Sequence, residues 1–280
     1  MNANEKLHIR ISQRAWADHP DQKIEYDDDG YCLDPRQNLF QELTSCTRRE
    51  LEEGDGAEIG KNGQRGKLQA LHSSSALVCN VFDYWRGREL ALIADALGIK
   101  GRVCGMSFEK KFSTGVGTKS PNLDLVLSLS AGGYFAIESK FTEPLSKSKN
   151  HSRLKDKYFD GNIKRWTKRG LPRAQRLADD LRAGRIKFDY LDAAQLLKHM
   201  LGLAGTGTQW HLSYLWFDTG ATISGLHQKE IALFSESLGP DRGHFSSTSY
   251  QVFFQRLSSL VGSNHVGYLS YLRSRYFANA

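Results

Sequence analysis

Long apolar runs and an export signal are both missing from this chain of 280 residues. No stretch of about 18 consecutive apolar residues occurs, which argues against a membrane-spanning helix. The first 30 residues are polar and lack the apolar segment that a secretory signal peptide needs. We therefore expect a protein that has no membrane partner and resides in the cytoplasm.

Cysteine is also too sparse to form a metal or disulfide framework. The four cysteines, Cys32, Cys46, Cys79 and Cys104, are far apart and form no Cys-x-x-Cys pair. This spacing argues against a zinc site. Cys79 and Cys104 fall within apolar segments, which predicts that they are small core residues.

No linker rich in proline and serine divides the chain, and 40% of its residues are hydrophobic, so one large core can form. The glycine-rich stretch 54–66 is the strongest internal boundary. It predicts an N-terminal extension, residues 1–66, packed on a catalytic core of residues 67–280. The sequence has no internal repeat and no Gly-x-Ser-x-Gly motif, so the serines after His72 predict a helix N-cap and not a serine hydrolase.

Two acids and a lysine recur at a spacing that two paired strands would bring to one point. Asp124 opens one apolar, β-rich run, and Glu138 and Lys140 close the next, with a glycine-rich hairpin loop at residues 131–133 between them. Residues two apart in a strand share a face, so Glu138 and Lys140 are expected to point the same way. The antiparallel return of the chain would then place Asp124 beside Glu138.

Two physical explanations fit such a cluster. Buried charges are rare unless they are paired or bound to a metal, and Mg²⁺ takes oxygen ligands such as carboxylates. A neighbouring lysine can position a water and stabilise charge that develops on a phosphate. Alternatively, Lys140 forms a structural ion pair with Glu138 or Asp124 on a solvated strand face. The spacing alone leaves both interpretations open.

Longer segments make the pattern more specific. The segment Pro121-Asn122-Leu123-Asp124, followed by Glu138-Ser139-Lys140, resembles the motif of the PD-(D/E)xK nuclease superfamily. Ordered blocks around this motif resemble a family of bacterial restriction-endonuclease-like proteins, and the likeness covers roughly residues 40–277. The blocks are residues 72–85, 108–112, 137–144, 190–199 and 249–253.

The resemblance implies a Mg²⁺-dependent endonuclease that cuts DNA, in which Mn²⁺ can replace Mg²⁺. It implies that Asp124 and Glu138 bind the metal with help from the Ser139 carbonyl, and that Lys140 orients the attacking water. Restriction or defence against foreign DNA is the expected role. A DNA repair or structure-selective nuclease, an RNase, and a nuclease-fold protein that binds nucleic acid without cutting stay open. A homodimer is a common arrangement for a double-strand cutter.

The third acid of such a site has two candidates. Glu109 lies on the strand that precedes Asp124, and the resemblance places an acid in this block as a catalytic and metal-binding residue. Glu89 lies near the start of the preceding helix, from which many members of the superfamily recruit an acid, but an acid in the first turn is also expected from the helix dipole. We favour Glu109.

The resemblance also implies an α/β fold with a restriction-endonuclease-like core. Such a core has a central mixed β-sheet, formed by an antiparallel meander plus a further strand, flanked by helices and extended by N-terminal and C-terminal helical additions. Hydrophobic periodicity predicts the same order independently. Strand patterns occur at residues 103–112, 123–129, 134–141 and 210–217. Helical patterns occur at residues 74–85, 88–97, 173–182, 191–203, 228–237, 250–260 and 268–276.

Basic charge is concentrated just after Lys140. Residues 145–176 contain eleven Lys or Arg and two Asp or Glu, a balance of +9, whereas the whole chain carries +7, so the remainder carries −2. This concentration predicts a DNA-binding segment, although a solvated basic loop is the alternative. The side chains predicted to contact nucleic acid are Lys147, Lys149, Arg153, Lys155, Lys164, Arg165, Lys168 and Arg169.

One of the later helices carries a polar stripe. Gln195, Lys198 and His199 occur at i, i+3 and i+4, so they share one side of the helix. This stripe could face the active site and contact phosphate or a metal-bound water. It could equally be the solvated face of an amphipathic helix.

Overall fold

A mixed five-stranded sheet forms the centre of the computed structural model, which describes residues 4–60 and 63–278. The strands follow one another across the sheet in chain order. The first three strands pair antiparallel, and the last two run parallel to the third. The strands are β1 (Val103–Lys111), β2 (Asn122–Leu129), β3 (Tyr134–Lys140), β4 (Trp210–Trp216) and β5 (Phe245–Ser249).

The predicted mixed sheet, an antiparallel meander followed by a further strand, is therefore confirmed. β5 extends it beyond the sequence prediction. Its sequence, Phe-Ser-Ser-Thr-Ser, is polar and short, so it is typical of a turn and not of a strand. It becomes a strand because it pairs in parallel with β4, from Leu212 opposite Phe245 to Trp216 opposite Ser249.

Ten α-helices surround the sheet in the described ranges 4–60 and 63–278. Seven of them correspond to predicted helices, with bounds that differ by at most three residues except at α8, which begins six residues early; the last turn of the first predicted helix is a 3₁₀ turn, and no separate helical pattern predicted α1, α2 or α5. The helices are α1 (Asn4–Ala17), α2 (Ser45–Glu53), α3 (Ser74–Phe82), α4 (Leu90–Leu97), α5 (Arg165–Lys168), α6 (Pro172–Arg182), α7 (Ala193–Ala204), α8 (Thr222–Ser237), α9 (Tyr250–Leu260) and α10 (Val266–Tyr276).

The sheet is covered on both faces, which explains why its central strands are nearly continuous apolar runs. Leu125 and Leu127 of β2 belong to a core shared with α3, α4, α9 and α10. Val126, between them, belongs to the opposite core, shared with α6, α7 and α8. The alternation along β2 thus assigns each neighbour to a different layer.

The tight turn between β2 and β3 depends on glycine. Gly132 and Gly133 both have positive φ angles, +88° and +98°. A Cβ atom on Gly133 would lie 2.2 Å from the backbone oxygen of Gln209, whereas one on Gly132 would meet nothing within 4 Å. Glycine at position 133 therefore lets the hairpin pack against the start of β4.

The N-terminal residues are tied to the C-terminal helices by buried polar contacts. The Gln13 side chain donates to the Arg275 carbonyl at 2.8 Å, and the Arg275 guanidinium donates to the Asn38 carbonyl at 2.9 Å. Glu5 accepts a hydrogen bond from the Ile223 amide at 2.6 Å. The boundary at residue 66 stays a prediction, but the residues on its two sides are packed together.

None of the helices in ranges 4–60 and 63–278 combines the length and the hydropathy that crossing a bilayer requires.

Candidate active site

The strands β2 and β3 separate at the point where the predicted acids lie. Their antiparallel pairing ends at Leu125 opposite Ile137. One residue further, the Asp124 carboxylate accepts a hydrogen bond from the Ser139 amide at 2.6 Å. A side chain thus takes the place of a strand-to-strand backbone bond, which keeps a gap open between the strands and holds a carboxylate at its edge.

Glu138 and Lys140 lie side by side on β3, as the two-residue spacing predicts. The Lys140 Nζ atom is 2.6 Å from Glu138 Oε1, and the two side chains are 15% and 1% exposed. The second oxygen, Glu138 Oε2, lies 3.0 Å from His199 Nε2 of α7. Lys140 and Glu138 therefore do form an ion pair, but the pair is nearly dry and does not lie on a solvated strand face.

The two carboxylates of the site have pKa values that are pushed apart. Burial and the charge of Glu138 raise the pKa of Asp124 well above its usual value. Burial alone would also raise the pKa of Glu138, but Lys140 and His199 outweigh this and lower it. For Lys140, burial would lower the pKa, but Glu138 and Asp124 raise it well above its usual value. One carboxylate is thus held as an anion beside a lysine that stays cationic.

Two atoms at this point lack a hydrogen bond although they are buried. Glu138 Oε2 and His199 Nε2 are close, but they are not aligned for a hydrogen bond, and neither atom has another partner in the described part of the chain. An unsatisfied carboxylate oxygen beside a second carboxylate is a donor set that suits a hard cation. The residues present thus fit Mg²⁺ as an open site.

The side chains that the structure describes form no closed metal cage by themselves. Within residues 4–60 and 63–278, no three His, Cys, Asp or Glu side chains are grouped closely enough to enclose a metal. Mg²⁺ is typically held by one or two carboxylates, with waters and substrate phosphates completing its shell. Asp124 and Glu138 meet that requirement without a third acid.

Glu109 lies directly across from Asp124 on β1, because Phe108 pairs with Leu125 and Lys110 with Leu123. Its φ angle of +51° falls in the left-handed region, which is rare for a residue in a strand. Its carboxylate accepts a hydrogen bond from the Asn122 side chain. Burial and the charge of Glu58 raise the pKa of Glu109 to about 7.

Glu58 is an acid of this region that the sequence did not single out. Its side chain is 5% exposed, pairs with Lys67 Nζ at 3.0 Å and accepts a hydrogen bond from Ser75. It comes from the glycine-rich stretch that predicted a boundary. The glycines are the sequence feature that marks this close approach. A Cβ on Gly54 would lie 3.2 Å from the Glu109 side chain, so the backbone there approaches an acid closely.

Glu89, the competing candidate, is exposed at the N-cap of α4. It makes no side-chain hydrogen bond or ion pair with any described residue. The structure therefore leaves Glu109, and not Glu89, next to Asp124.

Two buried tyrosines lie next to the strand that carries Glu138 and Lys140, and neither was predicted as part of the site. The Tyr250 hydroxyl lies 2.6 Å from the Ser139 hydroxyl. Tyr214 stands beside Glu138 in the parallel pairing of β3 with β4, and its hydroxyl lies 3.0 Å from His227 Nε2. Both tyrosines occur in apolar patterns, so nothing in their spacing distinguished them from ordinary core residues.

The predicted polar stripe on α7 divides between two environments. His199 is buried against Glu138, as one of the two interpretations expected. Lys198 lines a separate cleft with Asp192, and Gln195 is half-buried, its backbone amide donating to the Asp192 carboxylate at 2.7 Å. Of these three residues, His199 is the one that contacts the candidate active site within the part of the chain that the structure describes.

Of the eight side chains predicted to contact nucleic acid, some form ion pairs or backbone hydrogen bonds within the protein and others do not. Lys147 pairs with Asp189 and Lys164 with Asp179, at 3.1 and 2.8 Å. Two arginines donate to backbone carbonyls, Arg165 to Tyr158 and Arg169 to Leu201. The Lys149 side chain lies outside the described part of the structure. No side-chain hydrogen bond or ion pair with another described residue is formed by Arg153, Lys155 or Lys168.

The mixed sheet, its flanking helices and the cluster at the separated strands define an α/β protein of the restriction-endonuclease-like class. The family described as Restriction Endonuclease associating with ARP matches residues 10–277. The chain belongs to this family, which confirms the resemblance and the fold class predicted from the sequence. Neither a curated protein nor a solved structure matches the chain.

Proposed function

We propose that the chain is a Mg²⁺-dependent endonuclease that hydrolyses phosphodiester bonds of DNA. One observation carries the proposal: Asp124, Glu138 and Lys140 converge in a nearly dry gap between two strands. Membership of a restriction endonuclease family favours DNA as the substrate and restriction of foreign DNA as the role. Mn²⁺ is expected to replace Mg²⁺.

Asp124 and Glu138, with the Ser139 carbonyl, would bind the metal, and Glu109 would be the third acid of the metal site. When bound, Mg²⁺ supplies Lewis-acid activation of the scissile phosphate and lowers the pKa of a bound water. The proposed role of the remaining residues is to orient and stabilise, because every interaction in this gap is strengthened by the exclusion of water.

Lys140 is suited to donate hydrogen bonds and not to accept a proton. Its pKa is raised because Glu138 and Asp124 outweigh the cost of burial, so the ammonium stays charged at neutral pH. A fixed ammonium can orient the attacking water and stabilise the charge that grows on the phosphate. His199, 3.0 Å from Glu138 Oε2, would restrict the orientation of that carboxylate.

The test is cleavage of plasmid DNA, single-stranded DNA and RNA in parallel, with Mg²⁺, Mn²⁺ or a chelator. We expect nicked or linear plasmid with either metal and no product with the chelator. Direct conversion to linear DNA would indicate two centres acting together, as in a homodimer. Preferential cutting of single strands or RNA would favour the repair-nuclease or RNase alternative. DNA binding without product under every metal condition would contradict the proposal and favour a binding protein that does not cut.

Glu109 and Glu89 can be distinguished by matched amide substitutions. Glu109→Gln is expected to lower the single-turnover cleavage rate about 10- to 100-fold, because the residue lies across from Asp124 and its charge acts on the Asp124 carboxyl. Glu89→Gln should stay within about twofold of the wild type, since Glu89 is exposed and away from the gap. A wild-type rate for Glu109→Gln, or a large loss for Glu89→Gln, would show that the assignment is wrong.

A further inference from the structure

A basic cleft of ≈ 1100 Å³ lies beside α7, the helix that carries His199. It is bounded by the segment after β3, the end of α6 and the first half of α7. Its cationic side chains are Arg153, Lys155, Arg182, Lys187 and Lys198. Two acids, Asp156 and Asp192, also line it, so the cleft carries an excess of positive charge.

The acids near this basic cleft do not neutralise it. Asp192 is the N-cap of α7 and directs its carboxylate to the Gln195 amide at 2.7 Å. Asp156 forms a long ion pair with Arg182, at 3.6 Å, and its side chain is 86% exposed. Lys187 pairs with Asp189 at 2.6 Å.

Three of the five cations consequently have no acidic partner. In the described ranges, Arg153, Lys155 and Lys198 form no ion pair, whereas Lys147 and Lys164 of the same basic segment are paired. Exposed pairs of this kind contribute little to stability, but they lower the local potential. In the described ranges, the cleft therefore gathers the positive potential of three unpaired cations on one concave surface, while Lys168, which is also unpaired, is not among its lining residues.

The shape of the cleft strengthens that potential. Leu154 and Leu181 form part of its lining and are buried. A concave site with apolar walls and charges of one sign focuses the electric field on a ligand of the opposite sign. The cleft is suited to a polyanion and not to a neutral molecule.

The cleft is close to the candidate active site. Lys198 faces the cleft and His199 contacts Glu138, and these neighbouring side chains leave α7, a helix about 10–12 Å across, in different directions. Along one DNA strand, phosphates recur about every 3.4 Å of helix axis, so a strand leaving the active site would pass the cleft within a few nucleotides.

We propose that this basic cleft binds the phosphodiester backbone of DNA a few nucleotides from the cleaved bond, through Arg153, Lys155 and Lys198. This inference rests on the proposed function, because it takes DNA as the ligand. It adds Lys198 to the DNA contacts and assigns Lys147 and Lys164 to surface ion pairs. The cleft would bind backbone of any sequence and set the position of the strand in the active site.

The experiment measures binding of a fluorescein-labelled DNA duplex to the full chain by anisotropy, in chelator and over a range of salt concentrations. We expect Arg153→Ala/Lys155→Ala to bind about 10-fold more weakly at low salt and to reduce the slope of log K against log salt by about 2. Lys198→Ala should reduce the slope by about 1. The matched control, Lys100→Ala/Arg102→Ala, removes the same charge from exposed positions before β1, at the opposite end of that strand from the site, and should leave the slope unchanged.

Two results would overturn the inference in different ways. In the first, the wild-type protein binds duplex, but both cleft variants show the same dependence of log K on log salt as the control. That result would exclude the cleft as a DNA-binding site and leave the proposed function intact. Wild-type protein that binds no DNA would overturn the inference together with the proposed function. ATP can be tested as a competitor of the labelled duplex, at the same total phosphate concentration as unlabelled duplex. If ATP displaces the labelled duplex as well as unlabelled duplex does, the cleft is a nucleotide site and not a DNA-backbone site, which also contradicts the inference.

Discussion

Asp124→Asn is expected to lower the rate of Mg²⁺-dependent DNA cleavage by about 1000-fold or more and, at the same time, to stabilise the fold. The loss of activity follows from removing one of the two carboxylates that would hold the metal. The fold is retained because the asparagine carbonyl can still accept the hydrogen bond that the Ser139 amide donates at 2.6 Å. An Asp124→Asn variant that is inactive but more stable would show that the charge of Asp124 serves function and not folding.

The gain in stability has a defined pH dependence. Burial and Glu138 raise the pKa of Asp124 in the folded chain above its value in the unfolded chain. A raised carboxyl pKa means that the folded state is penalised wherever the unfolded residue is ionised, which includes neutral pH. Removing this penalty should raise Tm at pH 7, with each 1 kcal/mol corresponding to about 2–4 °C in a chain of this size. The difference should vanish below the usual pKa of Asp, where the carboxyl is protonated in both states.

Metal binding provides a readout that does not depend on cleavage. Mg²⁺ should raise the Tm of the wild type in proportion to the logarithm of its concentration and leave Asp124→Asn unaffected. Asp95→Asn, an exposed acid on α4, is the matched control and should behave like the wild type in all three measurements. Wild-type cleavage by Asp124→Asn, or an equal Mg²⁺ response in both proteins, would contradict the assignment.

The sequence predicted the parts of the site that depend on local periodicity. The two-residue spacing of Glu138 and Lys140 fixes their common face, and the antiparallel hairpin brings Asp124 to them. His199 was placed on a polar helical stripe, for which the sequence left open whether it faces the active site or solvent. In each case the geometry of one element, or of one hairpin, is enough to place the side chain.

Other parts depend on tertiary contacts that no local pattern contains. Glu58 raises the pKa of Glu109 from a loop that is distant in sequence, and the glycine-rich stretch that contains Glu58 was interpreted as a boundary and not as part of the site. β5 is a strand because β4 offers it a partner, not because of its serine-rich sequence. The basic segment was located by charge counting, but which of its cations are paired depends on acids such as Asp179 and Asp189, which lie beyond it.

Glu138→Gln and Lys140→Met should each destabilise the fold by about 3–5 kcal/mol, whereas the double variant should recover most of that loss. Glu138→Gln leaves a nearly dry ammonium without the carboxylate that lies 2.6 Å away, and Lys140→Met leaves Glu138 beside Asp124 without its cationic partner. Each single change therefore leaves an uncompensated buried charge. The measurement is urea unfolding of the wild type, the two single variants and the double variant. If all four unfold with the same dependence of free energy on urea concentration, their unfolding free energies give the coupling free energy of the pair.

The surface pair Lys164 and Asp179 is the matched control. Its atoms are 2.8 Å apart, nearly the same distance, but its side chains are 59% and 30% exposed. Lys164→Met, Asp179→Asn and their double variant should therefore give a coupling below about 1 kcal/mol, because solvent screens the pair. If the Glu138–Lys140 coupling is as small as this, water reaches the gap, and the dry environment on which the proposed role of Lys140 depends does not exist. A large coupling together with an inactive, stable double variant would show that the ion pair is dispensable for folding and that its charges are retained for the chemistry of the site.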